Sequence, residues 1–77
     1  MEINLLVFGQ IADITGKTTW KVSGVKNTDE LSHILAETYP SLQSMKYSIA
    51  VNKKIIQGNT ELNNDDTVAI LPPFSGG

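Results

Sequence analysis

The chain has 77 residues with 40% apolar content, no cysteine and a formal charge of -2, which makes one small domain whose stability rests on a well-patterned core without disulfides or thiolate-held zinc. All six cations are lysines and eight carboxylates oppose them, so nucleic acid is not an expected partner, arginine being the residue best suited to phosphate and base-edge contacts. No apolar run nears the roughly 20 residues of a membrane span, and the start MEINLLVFG lacks the cationic region and cleavage site of a signal peptide, so the expectation is a cytoplasmic protein with no membrane association.

Residues 2 to 8 set Ile3, Leu5 and Val7 against Glu2, Asn4, Leu6 and Phe8. This period-two pattern predicts a strand that becomes apolar on both faces at its end. Between Gly9 and Gly16, Ile11 and Ile14 sit three apart, enough for one helical turn over residues 10–15. Residues 18–22 read as a second strand, with Trp20 and Val22 on one side and Lys17 and Lys21 off it, followed by a loop at 23–27. Asn27 is placed to cap a helix, Glu30 to reach back as in a capping box, and Asp29 to complement the dipole. Leu31, Ile34, Leu35 and Thr38 follow at helical spacing, and Pro40 ends the helix at about Tyr39. Tyr47, Ile49 and Val51 alternate with Ser48, Ala50 and Asn52 as a third strand. Asn52-Lys53-Lys54 turns it into a short strand at Ile55 and Ile56, which Gly58-Asn59 breaks. Asn63-Asn64-Asp65-Asp66 is a turn cluster, and residues 67–71 form the last strand, stopped by Pro72-Pro73.

Strand, strand, helix, strands in one small domain predicts an α+β fold with a mixed sheet and one main helix packed on one face. A right-handed crossover through the helix leaves the first and last strands, the most apolar ones, as a central pair. That outline is a β-grasp (ubiquitin-like) roll over residues 1–71, with residues 72–77 as an extended tail.

Most chemistry-bearing residues have structural readings. His33 lies about 200° around the helix from Leu31, on the polar side. Asp65 and Asp66 lack the spacing of a calcium loop and belong to a turn. Ser75 has no base within sequence reach, and Lys53 and Lys54 are solvated turn charges. Two features resist this treatment. If Ile3, Leu5, Val7, Val68 and Ile70 face the helix, then Leu6, Phe8, Ala69 and Leu71 lie on the opposite face, uncovered unless the short first helix or the loop at 40–46 folds over them, and such exposure marks a partner surface. The second feature is the ending: from Thr67 to Gly77 no side chain is ionisable. Pro72 and Pro73 stiffen a stem, while Gly76 and Gly77 let a terminus enter a narrow channel. Six residues from Pro72 reach up to about 20 Å.

The run Asp66-Thr67-Val68-Ala69-Ile70-Leu71-Pro72-Pro73-Phe74-Ser75-Gly76-Gly77 resembles the ending of the ubiquitin-like sulfur carriers of the MoaD/ThiS type, most closely the small subunits of molybdopterin synthase. Phe8, Ile11, Gly16, Ile49-Ala50-Val51-Asn52 and Leu62 fall in the order of the same pattern, so the resemblance spans nearly the whole chain. The chain departs from it at Ala12-Asp13, where Arg-Glu is common, at Phe74, where valine is common, and at Asp65, where a turn glycine is usual. The resemblance implies that Gly77 is adenylated by an ATP-using, E1-like activating enzyme and converted to a thiocarboxylate. Pro72, Pro73, Phe74, Ser75 and Gly76 would then insert into a large catalytic subunit, where sulfur passes to cyclic pyranopterin monophosphate to build the molybdopterin dithiolene. Leu6, Phe8, Ala69, Leu71 and Phe74 would dock on that subunit, in a heterotetramer. The chain would bind no cofactor or metal and bring no catalytic residue beyond its C-terminal thiocarboxylate, which suits a sequence without cysteine. The alternatives are a thiamine-pathway sulfur carrier, which usually lacks the Pro-Pro-Phe-Ser lead-in; a ubiquitin-like modifier, which would leave conjugates on lysines; and a β-grasp binding module, which would keep its activity without Gly76 and Gly77.

Overall fold

The computed structural model describes residues 2–72. In chain order it comprises β1 (Glu2–Val7), α1 (Gly9–Thr15), β2 (Thr19–Ser23), α2 (Thr28–Thr38), a 3-10 helix (Pro40–Ser44), β3 (Ser48–Val51), β4 (Lys54–Ile55) and β5 (Thr67–Leu71). The sheet order is β2-β1-β5-β3-β4. β1 and β5 run parallel, with Leu5 beside Val68 and Leu6 beside Ala69, while β2 and β3 flank them antiparallel. This is the β-grasp roll expected from the element order, with the first and last strands adjacent in the middle of the sheet.

Strand alternation decides what is buried. Ile3, Leu5, Val7, Val68 and Ile70 are all no more than 1% exposed and form one cluster with Ile11, Val25, Leu31, Leu35, Leu42 and Leu62. α2 supplies Leu31 and Leu35 to this cluster. Ile34, expected on the same stripe, is instead 37% exposed, because it lies at the margin of the buried face. The Asn27 side chain accepts from the Glu30 N–H at 2.8 Å, as expected of a cap. Glu30 reaches one residue further back than a capping box requires, accepting from the Lys26 N–H at 2.8 Å. Asn27 itself is extended and bridges antiparallel to Glu61, which leaves the Lys26 amide facing the helix start.

Thr28 is 2% exposed and ties the helix start to the loop before Leu62. Its N–H donates to the Thr60 carbonyl at 2.9 Å and its hydroxyl accepts from the Thr60 N–H at 2.9 Å. Asn52 and Lys53 form the two-residue turn between β3 and β4, both with positive φ (50° and 73°), the type I′ geometry that matches strand twist. Asp65 also has positive φ, 68°. Aspartate tolerates that conformation better than most residues.

Candidate docking surface

The face of the sheet away from the core forms from one in-register row. Thr19 pairs with Leu6, Leu6 with Ala69, Ala69 with Ala50, and Ala50 with Ile55, so the row crosses all five strands. Neighbours in register project to the same side of a sheet. Leu6 and Ala69 are half-buried, Ala50 is closed over by its neighbours, and Ile55 is 57% exposed. Leu71, in register with Ser48, continues the same face along β5. Neither α1 nor the 3-10 helix covers it, since their buried side chains, Ile11 and Leu42, join the core cluster on the other side.

Four of the five expected docking residues fall among the described residues. Leu6, Ala69 and Leu71 lie together on this face, and Phe8 is 46% exposed just beyond the end of β1. Phe8 precedes α1 at its N-cap position, where its side chain makes no capping hydrogen bond. Ala50 and Ile55 were not singled out from the sequence. The alternation of β3 already put Ala50 opposite Ile49, but only the β3–β5 and β3–β4 registers bring it beside Ala69 and Ile55.

β5 ends at Leu71, and Pro72 packs against the start of α1. Gly9 has a φ of +58°, and a Cβ placed there would lie 3.1 Å from Pro72 Cγ. The expectations for Pro73, Phe74, Ser75, Gly76 and Gly77 fall outside the described residues.

The opposite end of β5 is fixed by polar groups. Asp66 accepts from the Asn63 N–H at 2.8 Å and from the Asn52 side-chain amide at 2.9 Å. The backbone hydrogen bond from Asn63 and then the Asn52 amide hold its carboxyl below the usual carboxylate range. The Asn52 side-chain oxygen Oδ1 accepts from the Thr67 N–H at 2.9 Å, which locks the β3–β4 turn to the first residue of β5. His33 is on the solvent side of α2, as expected, 2.9 Å from Glu37. Among the described residues no group of three or more His, Asp or Glu side chains is placed to hold a metal ion, and no helix is long and apolar enough to cross a membrane. What these residues offer is an apolar face beside the point where β5 gives way to Pro72.

The ThiS family pattern matches residues 5–77. The chain belongs to the ThiS family. The match takes in the whole of the uncovered row as well as the Gly76-Gly77 ending. A molybdopterin synthase sulfur carrier subunit from Chlamydomonas reinhardtii is 31% identical over 83 aligned positions, covering 100% of both chains. Among solved structures, a complex of subunits 1 and 2 of molybdopterin-converting factor from Helicobacter pylori contains a chain 28% identical to this one, with a TM-score of 0.76 and complete coverage of both. The small archaeal modifier protein 1 from Methanosarcina acetivorans, 23% identical, superposes with a TM-score of 0.82 over 99% of this chain and 96% of its own, and so shares the ThiS-family fold.

Proposed function

We propose that this ThiS-family chain is the sulfur carrier of molybdopterin synthesis, docking by its open sheet face on a large catalytic subunit and delivering sulfur from Gly77. The observation that carries this reading is the course of β5. One strand bears Ala69 and Leu71 on the uncovered face and is followed in sequence by Pro72 and the Gly76-Gly77 ending, so a partner docked on this face holds the origin of the segment that carries Gly77. The full-length similarity to a molybdopterin synthase sulfur carrier subunit supports this pathway over the thiamine one.

A carboxylate resists nucleophilic attack because it lacks a leaving group. In the proposed cycle a Gly77 carboxylate oxygen bonds to the α-phosphorus of ATP, held by an activating enzyme, and pyrophosphate leaves. Hydrosulfide supplied by a sulfur donor then attacks the acyl carbon, displaces AMP and loses its proton, leaving a thiocarboxylate. In the large subunit the thiocarboxylate sulfur attacks a carbon of the pterin precursor and displaces an oxygen group from it; water then attacks the acyl carbon, breaking its bond to sulfur and restoring the carboxylate, with one loaded chain spent for each of the two dithiolene sulfurs. General acids and bases and the phosphate-binding groups belong to the partner. The chain itself contributes the docking face, an uncharged stem and the reloadable acyl group, in an assembly of two small and two large subunits.

Intact mass of the chain isolated from cells tests the chemistry directly: exchange of one oxygen for sulfur adds about 16 Da. Adding one residue after Gly77 should abolish sulfur transfer while leaving folding unchanged. An extended chain that still supports dithiolene formation in the reconstituted synthase would overturn the proposal. Lysine-linked conjugates in place of the thiocarboxylate would identify a modifier instead.

A further inference from the structure

The sheet has two edges. β4 contributes only two residues at one of them, while β2 contributes five at the other. The Val7 N–H donates to the Thr18 carbonyl at 3.0 Å, and Leu5–Trp20 and Ile3–Val22 follow in register at two-residue steps. These are the hydrogen-bonded pairs of the antiparallel ladder. The backbone N–H and C=O groups of Thr19, Lys21 and Ser23 therefore point away from β1, at the open edge.

The two sides of this edge differ in chemistry. On the helix side lie half-buried Val22 and Trp20, the latter edge-on to Tyr39 with ring centroids 6.4 Å apart. Past the end of β2 the same side continues as a hollow of about 380 Å³ lined by Gly24, Asp29, Glu30, His33 and the exposed Ile34. On the far side, in register with Asn4, stands exposed Lys21. Lys17 covers the Trp20 ring, its Nζ 5.2 Å from the centroid.

We infer that the β2 edge accepts an extended segment of a partner protein as a sixth strand, the segment alternating apolar residues toward Trp20, Val22 and Ile34 with acidic residues toward Lys21. Main-chain hydrogen bonds to Thr19, Lys21 and Ser23 supply affinity, and the alternation supplies selectivity. Charge selects the occupant. A second copy pairing antiparallel through β2 about a two-fold axis at Lys21, the register that uses all three outward-facing residues Thr19, Lys21 and Ser23, brings Lys21 against Lys21, which is unfavourable. Asp29 and Glu30 beside the hollow exclude carboxylates from the helix side and confine them to the Lys21 side. This edge adjoins the outer row at Thr19 but is recognised through β2 main-chain groups that the row does not use, so the inference stands independently of the proposed sulfur chemistry.

Trp20 is the single tryptophan of the chain and lies on the groove, so its emission reports occupancy without labelling. The experiment titrates the full chain with a synthetic seven-residue peptide alternating valine with aspartate or glutamate, and with a control in which lysine replaces the acids. The expected result is a saturable change in Trp20 emission with the acidic peptide alone and slowed amide exchange at Thr19, Lys21 and Ser23. Lys21→Glu should weaken binding about fivefold or more. Lys21→Pro, which removes an outward-facing N–H that an edge strand can forgo, should weaken it about tenfold. Circular dichroism verifies that both variants are folded. Absence of saturation, equal binding of the lysine peptide, indifference to Lys21→Glu, or self-association through β2 on sedimentation overturns the inference.

Discussion

Leu5 and Leu6 are consecutive in β1 but face opposite sides of the sheet, and truncating each to alanine separates stability from docking. Leu5 is fully buried in the core cluster, so Leu5→Ala removes buried methyl groups and leaves a cavity, a loss of about 2–5 kcal/mol. A domain of 77 residues has a total stability of about 4–12 kcal/mol. A loss near the middle of the first range therefore lowers Tm by roughly 14–28 °C. Leu6 is half-buried on a face that no helix among the described residues covers, so its truncation leaves no enclosed void and costs about 1 kcal/mol or less. Binding to the large subunit should rank the two in the opposite order, Leu6→Ala weakening it about tenfold or more while Leu5→Ala, measured well below its Tm, leaves it near the parent value. Urea denaturation followed by Trp20 emission gives the first quantity and titration calorimetry the second. If Leu6→Ala destabilises the fold as much as Leu5→Ala, the outer face is packed within the monomer and the docking argument fails.

Three further outcomes follow from polar and turn geometry. Thr28→Val keeps the shape but deprives the buried Thr60 N–H of its acceptor, a cost of about 1–3 kcal/mol that Thr28→Ser should largely avoid; equal losses in thermal melts would show that the methyl group, and not the hydroxyl, matters. The Asp66 carboxyl is held below its ordinary value of 3.8, so its contribution is fully present above that pH and disappears as pH falls through the lowered folded-state value. Asp66→Asn should therefore flatten the acid limb of the stability curve below about pH 4 and leave its shape near neutrality unchanged, as urea midpoints across pH will reveal. Lys53 holds a φ of +73° in the two-residue turn, where glycine is favoured, so Lys53→Gly should raise stability by about 0.5–1 kcal/mol; a decrease in midpoint would contradict the turn assignment.

Local chemistry made much of this molecule readable. Alternation in residues 2–8 and 67–71 identified both central strands and the core side of each, because a period of two leaves little choice once one face must be buried. Asn27 and Pro40 marked the two ends of α2. Ile34 was misplaced because periodicity gives the centre of a helical stripe but not its width, which depends on what lies opposite. The anchoring of Thr28 to residues 59–60 and the burial of Val25 are tertiary facts without a local pattern. Ala50 and Ile55 entered the docking row only through strand register, which residues in separate segments establish together. At Phe8 the capping preference for a small polar residue and the occupant disagree, and such disagreement is informative: half-exposed, with no capping bond, this aromatic ring gives the isolated fold little, in keeping with a role in association.

The parallel pairing of β1 with β5 couples display to completeness. β5 is inserted between β1 and β3 and alone joins the β3–β4 hairpin to the β1–β2 pair, so the apolar row is continuous only when β5, with its middle member Ala69, is seated. On the proposed reading, a partner that docks on this row senses whether both halves of the sheet are joined, because a copy with β5 unseated presents a gap in the middle of the row. Such a check would need no separate device; it would follow from where the final strand is threaded.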